Sequence, residues 1–319
     1  MRLLLLGCTG FIGRELVPRL LDAGHQLTII SRKEPHKLHQ KCQSKQLLYL
    51  KLDPSNPENW KEEKLINAIT QANGVINLAG EPIADKRWTP KHCTKIQSSR
   101  LITTRCLINT ISKLKRPPEF LVNGSAIGYY GTSQNSLFTE DCSSGNDFLS
   151  NLCNEWEDIA TERPKSTRLL LLRIGIVLEA DGGALGKMLP VFRSGFGGPL
   201  GNGKQWMSWI HRTDLCKIIT QAVSNTDFKG VINAVAPNPS TMADFSDKLG
   251  KTLGRPSLLP VPGALLQLLL GDGAKVVLEG QNVSSAGLTK KKFAFEYPYL
   301  EQALEAITEK NRNVQYLSN

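Results

Sequence analysis

The chain has 319 residues, of which 40% are hydrophobic, 21% charged and 7% aromatic, which excludes disordered, collagen-like and coiled-coil proteins. This length predicts one large domain or two coupled ones, with enough buried surface to fold without disulfides or structural metals. The net charge of +10 suits an anionic partner: a nucleic acid, an acidic membrane surface or a phosphorylated small molecule.

The apolar runs are too short for a membrane span. Residues 264–270 form a run of seven with Gln267 inside it, and the four leucines Leu3–Leu6 are fewer than a secretory signal needs. The seven cysteines are odd in number and none are spaced Cys-x-x-Cys, which favours reduced thiols. We therefore expect a cytoplasmic protein with no membrane partner.

The first half of the chain alternates strand and helix patterns. Short apolar runs predict strands at Leu3–Leu6, Gln26–Ile30, Leu47–Leu52, Gly74–Leu78, Phe120–Val122 and Leu169–Arg173. Helical spacing predicts helices at 11–23, 61–72, Lys91–Leu114 and Leu149–Thr161. This alternation with short connections predicts an α/β fold, a doubly wound Rossmann-type parallel sheet with right-handed crossovers.

The pattern changes after Val177, where glycines crowd together and loops are expected. A helix at Asp214–Ser224 and a strand at Val231–Ala234 then return to the sheet pattern, and further helices follow at Leu265–Leu270 and Leu300–Ile307. We expect an NADP-binding domain at 1–235, with a loop-rich insertion at about 179–212 facing the cleft. Residues 236–319 would form a smaller, mostly helical C-terminal substrate lobe.

Three glycines between the first strand and the first helix carry the strongest local signal. Gly7 permits a tight turn, Gly10 lets the backbone approach a pyrophosphate, and Gly13 allows close packing of the helix against the strand. The helix N-terminus then faces the phosphate charge. No Gly-Lys-Ser/Thr sequence follows, so a nucleoside-triphosphatase loop is not expected.

The end of the second strand indicates which dinucleotide is bound. Sites for NAD usually have a carboxylate there, whereas this chain has Ser31 and Arg32. A guanidinium can bind a 2′-phosphate through charge-assisted hydrogen bonds. These two residues therefore predict NADP(H), although a plain surface arginine would give the same sequence.

Several motifs in order resemble the extended short-chain dehydrogenases/reductases. More closely, the chain is similar to their atypical epimerase-family subgroup, labelled nucleoside-diphosphate-sugar epimerase or cell-division inhibitor. The motifs are the three spaced glycines, Asn77-Leu-Ala-Gly-Glu-Pro-Ile, Arg87-Trp88, Ser99-Arg100, Gly124-Ser-Ala-Ile-Gly-Tyr-Tyr-Gly131, Phe148-Leu149, Trp156-Glu157, Arg173-Ile-Gly-Ile-Val-Leu178, Gly197-Gly-Pro-Leu-Gly, Trp209-Ile-His, Asp214-Leu215 and Leu278-Glu-Gly-Gln281.

The resemblance implies an NADP site, residue by residue. The pyrophosphate would lie along Gly7, Thr9, Gly10, Phe11, Ile12 and Gly13, and the 2′-phosphate at Ser31 and Arg32. The adenosine side would be lined by Leu78, Ala79 and Gly80, with further contacts from Arg100, Val177 and, as a weaker candidate, Lys95.

The chain departs from the family at the catalytic pair. The wider family uses Tyr-x-x-x-Lys, yet none of the six tyrosines here has a lysine four residues later. Aligning Glu157 with the family's helix glutamate places Leu149 and Cys153 at those two positions. Ser125 is retained as the donor to the reacting oxygen.

Two tyrosines remain as catalytic candidates beside Ser125. Tyr129 or Tyr130 would serve as acid or base if an arginine or lysine lay close, because an unassisted phenol with a pKa near 10 is a poor base. The same two rings would equally suit aromatic packing below the nicotinamide.

Three other groups of residues have patterns that resemble functional sites. His211 and Asp214 are better explained as structural residues at a helix start, with Thr213 as its N-cap, than as an acid or base. His36, His39 and Cys42 have metal-like spacing but no fourth ligand nearby, so no metal is expected. The glycine-rich segment 197–209 suits a wall over the substrate cleft.

The sequence thus predicts an NADP(H)-binding protein whose partner is a small molecule and not a nucleic acid. As an enzyme it would transfer hydride as an epimerase of nucleotide sugars or a reductase of carbonyl compounds. The missing Tyr-x-x-x-Lys pair leaves the alternative of a non-catalytic protein that senses NADP(H).

Overall fold

The computed structural model describes residues 1–32 and 46–316. The three residues with metal-like spacing, His36, His39 and Cys42, lie outside these ranges. Across the described part of the chain, no helix is both long enough and apolar enough to cross a membrane.

The central feature is a seven-stranded sheet in the order β11-β7-β5-β4-β1-β2-β3, in which every neighbouring pair is parallel. Its topology confirms the predicted doubly wound Rossmann-type fold. The strands are β1 Arg2–Leu6, β2 Gln26–Ser31, β3 Leu47–Lys51, β4 Gly74–Asn77, β5 Phe120–Ala126, β6 Leu137–Phe138, β7 Arg168–Ile174, β8 Ile176–Leu178, β9 Trp206–Met207, β10 Trp209–His211, β11 Gly230–Ala234, β12 Ser240–Thr241 and β13 Asn282–Val283.

Helices cover both faces of this sheet and form most of the C-terminal region. They are α1 Gly13–Asp22, α2 Glu63–Thr70, α3 Pro90–Ile111, α4 Phe148–Thr161, α5 Gly183–Arg193, α6 Arg212–Ser224, α7 Met242–Leu253, α8 Gly263–Leu270, α9 Lys275–Leu278, α10 Ala286–Lys290 and α11 Leu300–Tyr316. The predicted mostly helical C-terminal region is confirmed.

Strand β1 shows why the central strands are apolar throughout. Leu3 and Leu5 belong to the core beneath α1 and α6, whereas Leu4 and Leu6 belong to the core beneath α2, α3 and α4. Alternate side chains of a strand point to opposite faces, and here both faces are covered by helices. An unbroken leucine run is therefore the pattern expected of this position.

Helix α5 lies within the segment that was expected to form loops. Its buried side chains Leu185, Leu189 and Phe192 follow helical spacing, but glycines at 182, 183 and 186 obscure that pattern in the sequence. The helix packs into a third core with side chains of α7 and α11. The loop expectation was wrong for these eleven residues, and the domain boundary at 235 stays a prediction.

The start of α6 also differs from the prediction. His211, not Thr213, is the N-cap, because its Nδ1 accepts a hydrogen bond from the Thr213 N–H at 3.1 Å. The ring of His211 packs on Tyr297, with centroids 4.0 Å apart. The Asp214 carboxylate accepts the N–H groups of residues 296 and 297. Both residues are thus occupied in holding the chain, as expected of structural residues.

A buried arginine at the first position of α6 joins three parts of the chain. The side chain of Arg212 is 8% exposed and forms ion pairs with Glu15 of α1, at 3.3 Å, and with Glu179, at 3.2 Å, and Asp181, which follow β8. It also donates to the carbonyl of Phe11 at 3.3 Å. One guanidinium therefore connects the glycine-rich loop with the chain leading into α5.

We expect Arg212→Ala to destabilise the protein by about 3–5 kcal/mol, because Glu179 would be left buried without its charge partner. Chemical denaturation measures the change. Arg14→Ala is the matched control, since Arg14 is half exposed and pairs with Asp181 alone; a loss below about 1 kcal/mol is expected there. Equal losses in the two variants would contradict a special role for Arg212.

Candidate functional site

The glycine-rich loop follows β1 at the carboxyl edge of the sheet. Gly7 has φ +74°, and a Cβ there would lie 2.5 Å from the backbone N of Ala79. A Cβ on Gly13 would lie 1.8 Å from the carbonyl oxygen of Cys8. Both positions exclude any larger residue, so the loop and the end of β4 pack closer together than a side chain would allow.

Within the described part of the chain, few atoms surround Gly10, just before the N-terminus of α1. Its N-cap, Ile12, makes no side-chain hydrogen bond to the helix, and a Cβ on Gly10 would meet only the carbonyl oxygen of Gly7, at 3.8 Å. The first N–H groups of a helix have no partner inside it and carry partial positive charge. In α1 the N–H groups of Arg14 and Glu15 already donate to the carbonyls of Gly10 and Ile12, so a phosphate at Gly10 would meet the positive end of the helix dipole rather than these two groups.

The ends of β2 and β4 border this loop. The hydroxyl of Thr9 lies 3.2 Å from that of Ser31, which joins the loop to β2. Arg32 follows directly, with a side chain that is 64% exposed, and its Nη2 lies 3.7 Å from the carboxylate of Glu81. The predicted 2′-phosphate residues therefore stand beside the predicted pyrophosphate loop.

Arg100 holds the chain that follows β4. Its guanidinium packs so closely on Gly80 that a Cβ there would lie 2.9 Å from it, and it donates to the carbonyl of Glu81 at 3.0 Å. The guanidinium carbon of Arg100 also lies 5.4 Å from the centroid of the Trp156 ring. Burial lowers the pKa of Arg100 below its ordinary value. Lys95, on the same helix α3, is exposed.

Phe11 and Val177 lie near the start of α5, whereas Leu78 and Ala79 lie beside Gly7. A Cβ on Gly183 would lie 3.1 Å from the ring of Phe11 and 3.2 Å from the carbonyl oxygen of Val177. Leu78 and Ala79 form the chain against which Gly7 packs. The structure thus groups most of these residues along one edge.

A buried ion pair lies directly against Ser125, one of the predicted catalytic residues. Arg173 of β7 binds both carboxylate oxygens of Glu157 of α4, at 2.9 and 2.8 Å. The hydroxyl of Ser125 donates to the same carboxylate at 2.6 Å, and Ser125 is 4% exposed. The hydroxyl hydrogen of Ser125 is therefore engaged in a hydrogen bond to Glu157 and is not directed at a substrate.

Tyr130 is bound into this cluster. Its hydroxyl accepts from Arg173 at 2.9 Å and donates to Asn233 at 2.6 Å, and the residue is 3% exposed. Burial raises the pKa of this hydroxyl above its ordinary value of 10, although Arg173 acts in the opposite direction. Because Arg173 is already paired with Glu157, its charge does not prepare a phenolate at neutral pH.

Tyr129 lies on the other side of the same arginine. The Arg173 guanidinium carbon is 3.4 Å from the centroid of the Tyr129 ring, and the ring meets that of Tyr130 edge to face, with centroids 5.4 Å apart. Tyr129 is only half buried. Of the two tyrosine candidates it is therefore the more accessible.

Leu149 and Cys153 lie in the first two turns of α4, and these are the residues expected at the family's tyrosine and lysine positions. Leu149 packs near Gly128, where a Cβ would lie 3.4 Å from the leucine Cβ. Cys153 is 4% exposed, and its burial raises the pKa of its thiol to about 12. Within residues 1–32 and 46–316, no group of three or more His, Cys, Asp or Glu side chains is arranged to hold a metal ion.

Sequence reasoning missed the roles of Glu157, Arg173, Asn233 and Glu81. Glu157 and Arg173 appear among the family motifs, but the motifs do not say that they bind each other. One usable signal was a charged residue, Arg173, at the end of an otherwise apolar strand. Such a residue in a buried strand needs a partner of opposite charge.

Two family models match the chain. One, described as the NAD dependent epimerase/dehydratase family, matches residues 3–157, and the other, a domain of unknown function called DUF1731, matches residues 261–307. An Arabidopsis thaliana protein named epimerase family protein SDR39U1 homolog, chloroplastic, is 42% identical over 94% of this chain and 85% of its own length. Human epimerase family protein SDR39U1 is 36% identical over 96% of this chain and 99% of its own length.

Two solved structures of epimerase proteins are similar to this chain over nearly its whole length. The crystal structure of human SDR39U1 isoform 2 with NADPH has a TM-score of 0.86 and 35% identity, covering 97% of this chain and 99% of that one. The nucleoside-diphosphate sugar epimerase of Corynebacterium glutamicum has a TM-score of 0.73 and 28% identity, covering 96% of this chain and 58% of that one.

We expect Cys153 to resist alkylation in the folded protein. With a pKa of about 12, roughly one thiol in 30,000 is ionised at pH 7.5, and only the thiolate is nucleophilic. Iodoacetamide labelling followed by peptide mass spectrometry should modify the partly exposed Cys93 and Cys142 first. The same labelling in guanidinium chloride is the control, and should modify Cys153 as well. Labelling of native Cys153 as fast as Cys93 would contradict the described burial.

Proposed function

Because the chain belongs to the epimerase family, in the group of the SDR39U1 proteins, we propose that it binds NADP(H) and transfers hydride to a small molecule. The human relative was crystallised with NADPH, which supports the choice of cofactor.

The residues at the sheet edge fit this cofactor. The N-terminus of α1 and the space beside Gly10 would take the pyrophosphate, and Gly7 lets the loop pack against the end of β4. Arg32 carries the proposal for NADP(H): it follows β2, where a carboxylate would select NAD, and its exposed guanidinium can bind a 2′-phosphate.

Bound NADPH would supply a hydride, and this chain's residues would supply position and a proton. The hydrogen of Ser125 is bound to Glu157, and Tyr130 is protonated and buried. Epimerisation through an oxidised intermediate starts with removal of a hydroxyl proton, which needs a base, whereas reduction of a carbonyl needs a proton donor. The geometry therefore supports a carbonyl reductase better than a nucleotide-sugar epimerase, with Tyr129 or solvent as the donor.

A second function, NADP(H) sensing without catalysis, is supported by one observation. The side chains that would act as acid or base are instead bound to other buried residues or uncharged. Ser125 binds Glu157, Tyr130 binds Asn233, and Cys153 stays a neutral thiol. A protein with this arrangement could bind the cofactor and respond to it through a change of conformation alone.

We expect Arg32→Ala to weaken NADPH binding by about ten- to a hundredfold and to change NADH binding little. The lost charge-assisted contacts typically contribute about 1.5–3 kcal/mol. Isothermal titration calorimetry with both cofactors measures the effect. Equal affinities of the unmutated protein for NADPH and NADH would contradict the proposed cofactor preference.

We expect Tyr129→Phe to lower NADPH turnover at least tenfold if Tyr129 donates the proton, because general acids contribute about 10²–10⁴-fold. Stopped-flow oxidation of NADPH across carbonyl compounds and nucleotide sugars identifies the substrate first. Cys153→Ala is the matched control, expected to keep full turnover and cofactor affinity. NADPH binding without turnover on the whole panel would contradict the reductase and support sensing.

A further inference from the structure

The ion pair between Arg32 and Glu81 crosses the edge at which the adenosine would bind. Arg32 directly follows β2, and Glu81 follows the end of β4, at Asn77, by four residues. Strand β1 lies between β2 and β4 in the sheet. The pair therefore spans the carboxyl end of β1, beside the glycine-rich loop.

Glu81 is the fixed member of this pair. Its backbone N–H donates to the hydroxyl of Ser99 at 2.9 Å, its carbonyl accepts from Arg100 at 3.0 Å, and its side chain is 14% exposed. The side chain of Arg32 is 64% exposed. When the pair opens, the exposed arginine has room to move, whereas the backbone of Glu81 is held by Ser99 and Arg100 of helix α3 and its side chain is largely buried.

We propose that Glu81 is a specificity-determining residue that competes with the 2′-phosphate of NADP(H) for Arg32. This inference rests on the proposed NADP(H) site. Binding of NADP(H) transfers the guanidinium from the carboxylate to the phosphate and leaves two negative groups near each other. NAD(H) has a hydroxyl in place of the phosphate, so the pair persists. Glu81 therefore makes the preference for NADP(H) smaller than Arg32 alone would give.

The size of the effect follows from the exposure of the pair. An ion pair with one well-exposed member contributes little in water. We expect Glu81→Gln to tighten NADPH binding about two- to fivefold and to change NADH binding less than twofold. The substitution leaves the hydrogen bonds with Ser99 and Arg100 intact, because both are made by the backbone of residue 81. It also removes a negative charge that raises the pKa of the buried Arg100, so the Arg32→Ala background separates the effect on Arg32 from that on Arg100.

The experiment is a double-mutant cycle on the full chain, with NADPH and NADH titrated calorimetrically against the parent, Glu81→Gln, Arg32→Ala and the double variant. Glu58→Gln is the matched control: it removes one carboxylate from an exposed ion pair with Lys61, three residues later. Its affinities should equal those of the parent. Melting temperatures establish that each variant is folded.

The result expected is that Glu81→Gln tightens NADPH binding in the parent and at most half as strongly once Arg32 is absent. An equal gain in both backgrounds would overturn the inference, since Glu81 would then act without Arg32. Weaker binding of NADH to Glu81→Gln would also overturn the inference, because it would mean that the carboxylate accepts a hydrogen bond from the ribose hydroxyl. If the parent binds neither cofactor, the proposed function itself has failed. If it binds NADPH and depends on Arg32 while Glu81→Gln has no effect, only the role of Glu81 is wrong.

Discussion

The buried ion pair of Glu157 and Arg173 determines how the polar side chains around the candidate site are arranged, because Ser125 and Tyr130 both bind to it. Both side chains are less than 10% exposed, and two parallel contacts join them. Charges removed from water in this way are tolerated only when they are paired and their remaining hydrogen-bonding positions are filled. Ser125 fills one position on the carboxylate and Tyr130 one on the guanidinium. Through these contacts the pair connects α4, β5, β7 and, by way of Asn233, β11.

The same pair decides what acid–base chemistry the site can offer. A cation close to a tyrosine normally lowers its pKa, but here burial has the larger effect on Tyr130 and raises it. Cys153, the residue expected at the position of the family's lysine, is a buried thiol whose pKa is raised to about 12 by its burial. Ser125, Tyr130, Glu157 and Arg173 are therefore bound to one another in the interior, and of the acid–base candidates only Tyr129 is half exposed.

The parts that sequence reasoning found are those with local patterns. The strands were predictable because an unbroken apolar run such as Leu3–Leu6 reports burial on both faces, and the loop because three glycines are spaced between a strand and a helix. Helix α5 was missed because its glycines hide the helical spacing. The partners of Ser125 and Arg32 could not be found from the sequence, since they lie 32 and 49 residues away and only the sheet order brings them together.

The glycine-rich loop is also joined physically to the C-terminal region. Arg212 donates to the carbonyl of Phe11 while pairing with Glu179 and Asp181, and the ring of Phe11 packs beneath Gly182 and Gly183 at the start of α5. Helix α5 belongs to the core that it shares with α7 and α11. A displacement of the loop backbone by a bound phosphate must therefore either strain these contacts or move α5 with it. The loop and α5 therefore form one closely packed unit, and such interiors transmit small shifts from one end to the other.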